Sequence, residues 1–309
     1  MTEIVTNKES LHKNGFCVIR KLLTDDEVKK YRSVIQKITD KNFGATRNEG
    51  EQCYQSKDIY NYPEIWGYIV NDRLLNILRN LLGPKIYYLH NSEASQYSKI
   101  TKDINHGSWH RDSPCRRSGR GPDWDDDLPY NVVTAITYLE PNDVTNSGVS
   151  VIPASHKKSY AHTFSNLLRV FDFKTKNIKL LRGIREKIQN YIGINCRTDP
   201  GDCAIFFTNL FHTGLPTKGT RRAVFARYGA PGKHSKNYIN WYLKHRKGGY
   251  DYEINESNKI IVEDFFNLLK SKNIFHPLPE KKEEIKDAPI PASERPPEYD
   301  WRKGRGYQS

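Results

Sequence analysis

Between Lys85 and Tyr228 the chain carries a series of short β-branched or aromatic runs punctuated by turn residues. They are Ile86–Leu89, Ala94–Tyr97, Val132–Leu139, Val149–Ile152, Cys203–Phe207 and Ala223–Tyr228. Runs of this length and composition read as strands. Several such strands with no helical crossovers between them cannot build a parallel α/β sheet, and they point to an antiparallel double sheet of the jelly-roll type. One segment interrupts the series: residues 160–195 are basic and partly helical, with a helix expected from Ile178 to Ile192.

The flanks read differently. Asn14-Gly15-Phe16-Cys17-Val18-Ile19 is a Gly-led β-run, and Thr24-Asp25-Asp26-Glu27 has the spacing of a capping box before Val28, Tyr31, Ile35 and Ile38 at helical intervals. Residues 42–62 are polar and without period, and are expected to form a loop. A helix follows from Asn71-Asp72 to Leu82, apolar along Leu74, Leu75, Leu78, Leu81 and Leu82, and Gly83-Pro84 stops it. Beyond the strands lie a basic, aromatic stretch from Lys233 to Lys247 and a helix from Ser257 to Lys270. The expected organisation is a single domain over residues 1–275, mainly β with flanking helices and a β core at about 85–230, then a proline-rich, charged tail over 276–309.

Composition narrows the classes. The five cysteines, Cys17, Cys53, Cys115, Cys196 and Cys203, are scattered and form no C-x-x-C pair, which argues against a disulfide framework or zinc knuckle and for a reducing compartment. No window approaches the roughly 18 apolar residues that span a bilayer, and the N-terminus has no basic-then-apolar segment. A cytoplasmic, soluble protein is expected. The formal net charge of +13, from 49 basic and 36 acidic residues, favours anionic partners without choosing among them.

The chemistry concentrates in Trp109-His110-Arg111-Asp112. Residues two apart in an extended strand project from one face, so His110 and Asp112 can offer a nitrogen and an oxygen to one point. His212, which ends the apolar run Ala204-Ile205-Phe206-Phe207, then Leu210-Phe211, is the best candidate for a third ligand. Two histidines and a carboxylate on one face of a metal is the arrangement of non-haem Fe(II) oxygenases; the same donors suit zinc and a bound water. Arg221-Arg222 opens the next strand, and a guanidinium there suits a dicarboxylic co-substrate whose other end chelates the metal. A zinc hydrolase has no use for that arginine. A kinase catalytic loop is excluded, because Arg117 stands where the asparagine must be and no Asp-Phe-Gly follows.

These pieces resemble the phytanoyl-CoA dioxygenase family of Fe(II)- and 2-oxoglutarate-dependent oxygenases. The resemblance rests on the Gly15 run with its helix, on Trp109-His110-Arg111-Asp112, and on Asn146-Ser147-Gly148 through Pro153-Ala154-Ser155-His156. Gly201-Asp202 to His212 and Arg221-Arg222-Ala223 complete it, in the family's order over residues 10–230. It implies a double-stranded β-helix core of the cupin-like kind, with Fe(II) held by His110, Asp112 and His212. It also implies Arg221, with Arg222 as the alternate, on the distal carboxylate of 2-oxoglutarate. Gln96, Ser98 and Lys99, on the strand before the motif, are further candidates for that co-substrate. The implied reaction consumes O2 and 2-oxoglutarate, with ascorbate as an assisting reductant, and the carboxylate of Asp112 favours hydroxylation over halogenation. Ser113-Pro114-Cys115-Arg116-Arg117 departs from the family's aromatic-rich segment. There Arg116, Arg117 and Arg120 are candidates for clamping an anionic small-molecule substrate. Two alternatives stand beside this reading. One is an oxygenase acting on nucleic acid or protein through the Lys233–Lys247 stretch, where Tyr238, Trp241 and Tyr242 interleave with basic residues. The other is a zinc-binding or non-catalytic relative.

Overall fold

A computed structural model of the chain describes residues 2–42, 51–56, 62–99, 109–112, 129–141, 145, 148–157, 187, 191–215, 219–245 and 259–275. The chain opens with α1 (Thr2–Asn14), β1 (Phe16–Ile19), α2 (Asp25–Asn42), β2 (Glu51–Ser56), α3 (Pro63–Ile69) and α4 (Asp72–Leu82). The core strands follow: β3 (Ile86–Lys99), β4 (Val132–Tyr138), β5 (Gly148–Val151), β6 (Ile194–Arg197), β7 (Cys203–Phe207), β8 (His212–Gly214) and β9 (Gly219–Gly229). The last elements are α5 (Lys233–His245), α6 (Lys259–Ser271) and β10 (Ile274–Phe275).

The strands form two sheets, as the jelly-roll pattern requires. The larger is seven-stranded, in the order β1-β7-β4-β9-β3-β10 with β2 paired to β3, and the smaller has the order β6-β5-β8. Every pairing is antiparallel except β10 with β3. The helices cover one face of the large sheet. On that face Tyr68 of α3 donates to Thr137 at 3.1 Å, Tyr228 of β9 donates to the Ile69 carbonyl at 2.7 Å, and Phe265 of α6 meets Tyr88 edge-on at 5.5 Å. Side chains alternate along a strand, so Thr134, Ile136 and Tyr138 of β4, Ala204 and Phe206 of β7, and Ala223, Phe225 and Arg227 of β9 share the opposite, inner face. The small sheet lies over this face, with the His212 ring of β8 4.7 Å from the Phe206 ring.

The capping box is present. The Thr24 amide donates to the Glu27 carboxylate at 2.7 Å, and the Glu27 amide to the Thr24 hydroxyl at 3.3 Å. Asn71 caps α4 by accepting from the Leu74 amide, and Gly83 ends it. Gly15 has a second duty besides leading β1. It ends α1, with its amide bonded to the Leu11 carbonyl at 2.8 Å and φ at +88°. A side chain does not fit there, because a Cβ would lie 2.5 Å from Leu210 and 2.6 Å from His156.

Several expectations are corrected. The segment read as a polar loop over 42–62 contains β2, whose six residues pair with Ala94–Lys99; a long partner strand, not its own pattern, makes it a strand. The two runs Ile86–Leu89 and Ala94–Tyr97 are one strand, β3, broken in register by a bulge between Leu89 and Glu93. His212 does not end the apolar strand. A turn closed by the Leu210 amide on the Phe207 carbonyl at 2.9 Å intervenes, and His212 begins β8 in the other sheet. Helices α1 and α3 and strands β6 and β10 had no reading from sequence. Of the insertion at 160–195, residues 160–186 and 188–190 lie outside the described residues, and with them most of the helix expected from Ile178 to Ile192; so does the tail over 276–309.

Candidate metal centre

The Trp109–Asp112 segment crosses the mouth of the two sheets. His110 and His212 exchange both backbone hydrogen bonds, each 2.9 Å, and the Asp112 amide donates to the Thr208 carbonyl at 2.7 Å. Alternation then separates the side chains. His110 and Asp112 turn inward, whereas Arg111 turns back, donating to the Asn209 carbonyl at 2.8 Å and the Ser155 carbonyl at 3.1 Å. Trp109 stacks on Phe211 with ring centroids 5.6 Å apart.

The Pro153-Ala154-Ser155-His156 segment braces this arrangement from behind. The Ser155 hydroxyl accepts from the Phe211 amide at 2.8 Å, and Asn209 donates to the His156 carbonyl at 3.2 Å. Asp202 is a latch of the same kind, accepting from Arg20 at 2.6 Å, the Lys21 amide at 2.8 Å and the Asp199 amide at 3.0 Å.

Inside the sheets the ligand-type atoms of His110, Asp112 and His212 all lie within 4.8 Å of one another. His110 Nε2 is 3.5 Å from one carboxylate oxygen of Asp112, and His212 Nε2 is 3.7 Å from the other. The Nδ1 of His212 is 2.9 Å from the Leu210 carbonyl. A carbonyl only accepts, so Nδ1 carries the proton and Nε2 presents a lone pair toward Asp112. Two imidazole nitrogens and a carboxylate within one ion's reach fit a divalent transition metal, with positions left for a chelating co-substrate. Burial alone would raise the Asp112 carboxyl, but the Arg227 guanidinium, with His110 and His212, holds it well below the usual carboxylate range. Burial lowers His212 against the pull of Asp112, which keeps the imidazole neutral and fit for a metal.

Arg227 was not singled out in the sequence. It is buried in β9 and donates to Asp112 at 2.8 Å. A signal existed: six residues on from Arg221 in a strand, it must share that residue's face.

The two arginines divide as alternation demands. Arg221 lies on the inner face, donating to the Leu215 carbonyl at 2.8 Å with its guanidinium 5.4 Å from the centre of the Tyr138 ring. Arg222 lies on the helix face, bonded to Glu140 at 2.8 Å, to Gln96 at 2.8 Å and to Gln36 of α2. Gln96 is thereby turned away from the centre. The side chain of Lys99 is not described, and its backbone pairs with Gly219. Arg116, Arg117 and Arg120 lie outside the described residues. In the basic stretch, Tyr238 of α5 is fully buried and has no face for a nucleobase.

A family model for phytanoyl-CoA dioxygenase (PhyH) matches residues 11–223. The chain belongs to that family. The match spans the capped α2, the His110–Asp112 segment, His212 and Arg221. The peroxisomal phytanoyl-CoA dioxygenase of Homo sapiens is 23% identical over 284 residues, covering 84% of this chain and 76% of the human protein. The Mus musculus enzyme of the same name is 21% identical over 240 residues, 70% of this chain and 65% of the mouse protein. Among solved structures, HygX from Streptomyces hygroscopicus with nickel and 2-oxoglutarate bound superposes with a TM-score of 0.54, at 16% identity over 73% of this chain and 86% of that one. The α-ketoglutarate-dependent epimerase SnoN from nogalamycin biosynthesis gives 0.53, at 13% identity over 74% and 81%. These likenesses bear out the fold. No helix among the described residues is long and apolar enough to cross a membrane.

His156 makes the bracing pH-sensitive. Burial pushes its imidazole down to about 4, against a hydrogen bond with the His12 carbonyl at 3.2 Å. Between roughly pH 6.5 and 4 the unfolded chain therefore binds a proton that the folded chain refuses, and stability falls as the pH falls through this window. The expected loss from this group is on the order of 2–3 kcal/mol. Urea midpoints at pH 7 and pH 4.5 read it. The His156→Gln variant should have a visibly flatter pH dependence, and an unchanged slope would assign the loss to other groups.

Proposed function

We propose that this chain is an Fe(II)- and 2-oxoglutarate-dependent dioxygenase that hydroxylates an unactivated C–H bond of a small, anionic molecule, releasing succinate and CO2. The observation that carries the reading is the convergence of His110, Asp112 and His212 on one point, with Arg221 on the same inner face and Arg222 turned away from it. His110, Asp112 and His212 would hold the iron. Arg221 would take the distal carboxylate of 2-oxoglutarate, for which its planar fork is suited. Iron with 2-oxoglutarate supplies the oxidation, one atom of O2 going to succinate and the other to the substrate. The chain's own part is to orient the co-substrate and keep water out. Phe206, Ile136 and the other apolar side chains of the inner face serve the second purpose. The substrate's anionic group is proposed from the net charge of +13 and from Arg116, Arg117 and Arg120 after the metal-binding segment.

The test is succinate formation from 2-oxoglutarate, read by NMR, with Fe(II) and ascorbate and a panel of anionic small molecules and short oligonucleotides. Turnover by the wild type and none by His110→Ala supports the reading, and the stimulating panel member reports the substrate class. Arg221→Met should raise the 2-oxoglutarate concentration for half-maximal turnover about 10- to 100-fold, the worth of a charge-assisted pair of hydrogen bonds. Binding of neither Fe(II) nor 2-oxoglutarate, with tight zinc in their place, overturns the proposal.

A further inference from the structure

Glu93 is a carboxylate that the site as described above leaves without work. It stands on β3 opposite Phe225 of β9. Two independent parities place it on the inner face. Phe225 is two residues from Arg227, whose guanidinium reaches Asp112, and Glu93 is three residues from Gln96, which binds Arg222 on the helix face. It is only 9% exposed, yet among the described residues no hydrogen bond or ion pair to its side chain is found. The row across the sheet is Glu93, Phe225, Ile136 and Ala204, so the carboxylate is set in an apolar strip. That strip lies between the Arg227 row, which faces the metal ligands, and the Arg221 row.

The backbone is built to aim it. The register of β3 shifts between Leu89 and Glu93, and the Arg227 amide donates to the Ser92 hydroxyl at 3.3 Å. Bulges of this kind recur beside active sites, where they redirect a side chain. A carboxylate that little solvent reaches, standing among apolar side chains, is met best by a cation. The inner-face arginines are engaged elsewhere: Arg227 with Asp112, and Arg221 with Leu215 and Tyr138. 2-Oxoglutarate and succinate are dianions, which a carboxylate repels. The partner is therefore the molecule to be oxidised.

We propose that Glu93 is a substrate-recognition carboxylate and that the prime substrate of this site carries a protonated amine. This rests on the oxygenase reading above, and with the anionic group proposed there it makes the substrate zwitterionic. The ammonium sits against Glu93, which fixes which C–H bond faces the metal.

The experiment uses the full chain under anaerobic calorimetry. Fe(II) and 2-oxoglutarate are titrated first, into the wild type, Glu93→Gln and Glu93→Lys. Phosphoethanolamine, L-ornithine and glucosamine 6-phosphate are then added, each beside its N-acetylated counterpart, and succinate is read after admission of O2. The expected result is that at least one amine binds the wild type and stimulates succinate formation roughly tenfold or more above its acetylated form. Glu93→Gln should shrink that preference to within about twofold, and Glu93→Lys should reverse it, while both variants still bind Fe(II) and 2-oxoglutarate. Absence of any amine preference in the wild type overturns the proposal, as does a preference that survives in Glu93→Gln. Stimulation by glucose or ethylene glycol equal to that by the amines would make the ligand a neutral hydroxyl compound and overturn it too. Failure of the wild type to bind Fe(II) and 2-oxoglutarate sinks the oxygenase reading itself, and this inference with it.

Discussion

Arg227→Met should destabilise the metal-free protein by about 3–5 kcal/mol, the usual cost of leaving one partner of a buried ion pair uncompensated. The guanidinium of Arg227 is 5% exposed and lies 2.8 Å from an Asp112 oxygen, and its charge is what chiefly offsets the burial of that carboxylate. With the arginine gone, the carboxylate loses the guanidinium that chiefly offsets its burial. A bound divalent ion supplies the missing positive charge, and it binds only the folded chain, so added Fe(II) or Co(II) should return a large part of the loss. Arg227 also holds the orientation of Asp112, so metal affinity in the variant should fall about 10- to 100-fold, as it does when partners behind a ligand are removed. Thermal unfolding with and without metal, beside a metal titration, measures both effects. A loss of stability that metal does not relieve would show that Arg227 matters here only for packing.

Phe265→Ala is the second large effect, again about 3–5 kcal/mol. Phe265 of α6 is fully buried, 5.2 Å from the Trp66 ring and 5.5 Å from the Tyr88 ring, so its removal empties the joint between α3, α6 and β3. Phe275, four residues after α6, is half exposed and touches Tyr87 at 6.0 Å; its alanine variant should cost less than about 1 kcal/mol. Urea denaturation of the two variants compares them directly. Equal costs would mean that α6 is not docked as described. The comparison matters because α6 lies beyond the residues that the family model matches, 11–223.

Much of this molecule was legible in its residues, and for local reasons. The capping box at Thr24–Glu27 and the Asn71 and Gly83 ends of α4 are short-range hydrogen-bond patterns, complete within a few positions. The alternation of His110 and Asp112 is likewise a property of extended backbone and needed no partner to be read. The antiparallel double sheet followed from strand runs that lacked crossovers.

What sequence reasoning missed depends on residues far apart. β2 is polar and acquires strand geometry from pairing with β3, and β10 exists because α6 delivers Ile274 to Ile86. His212 was recognised as a candidate ligand but given to the wrong strand, because Leu210-Phe211 were read as continuing the apolar run Ala204–Phe207 across the polar Thr208-Asn209, where the chain turns. The choice between Arg221 and Arg222 was open in the sequence, since alternation requires only that they face opposite ways. Gln36 and Glu140, from a helix and a strand end 104 positions apart by their numbers, take Arg222 to the outside and leave Arg221 within.

The sequence by itself determined which groups this protein can bring to chemistry: two imidazoles, a carboxylate and an arginine, spaced so that strands present them on one side. Only the tertiary structure decided which charges meet. Arg227 with Asp112, Arg222 with Glu140, and Glu93 alone in an apolar strip are consequences of sheet register and of burial. Those are set by packing between segments distant in sequence, 82 residues for Arg222 with Glu140 and 115 for Arg227 with Asp112, where the energy of a charge depends on what surrounds it and not on its neighbours in the chain.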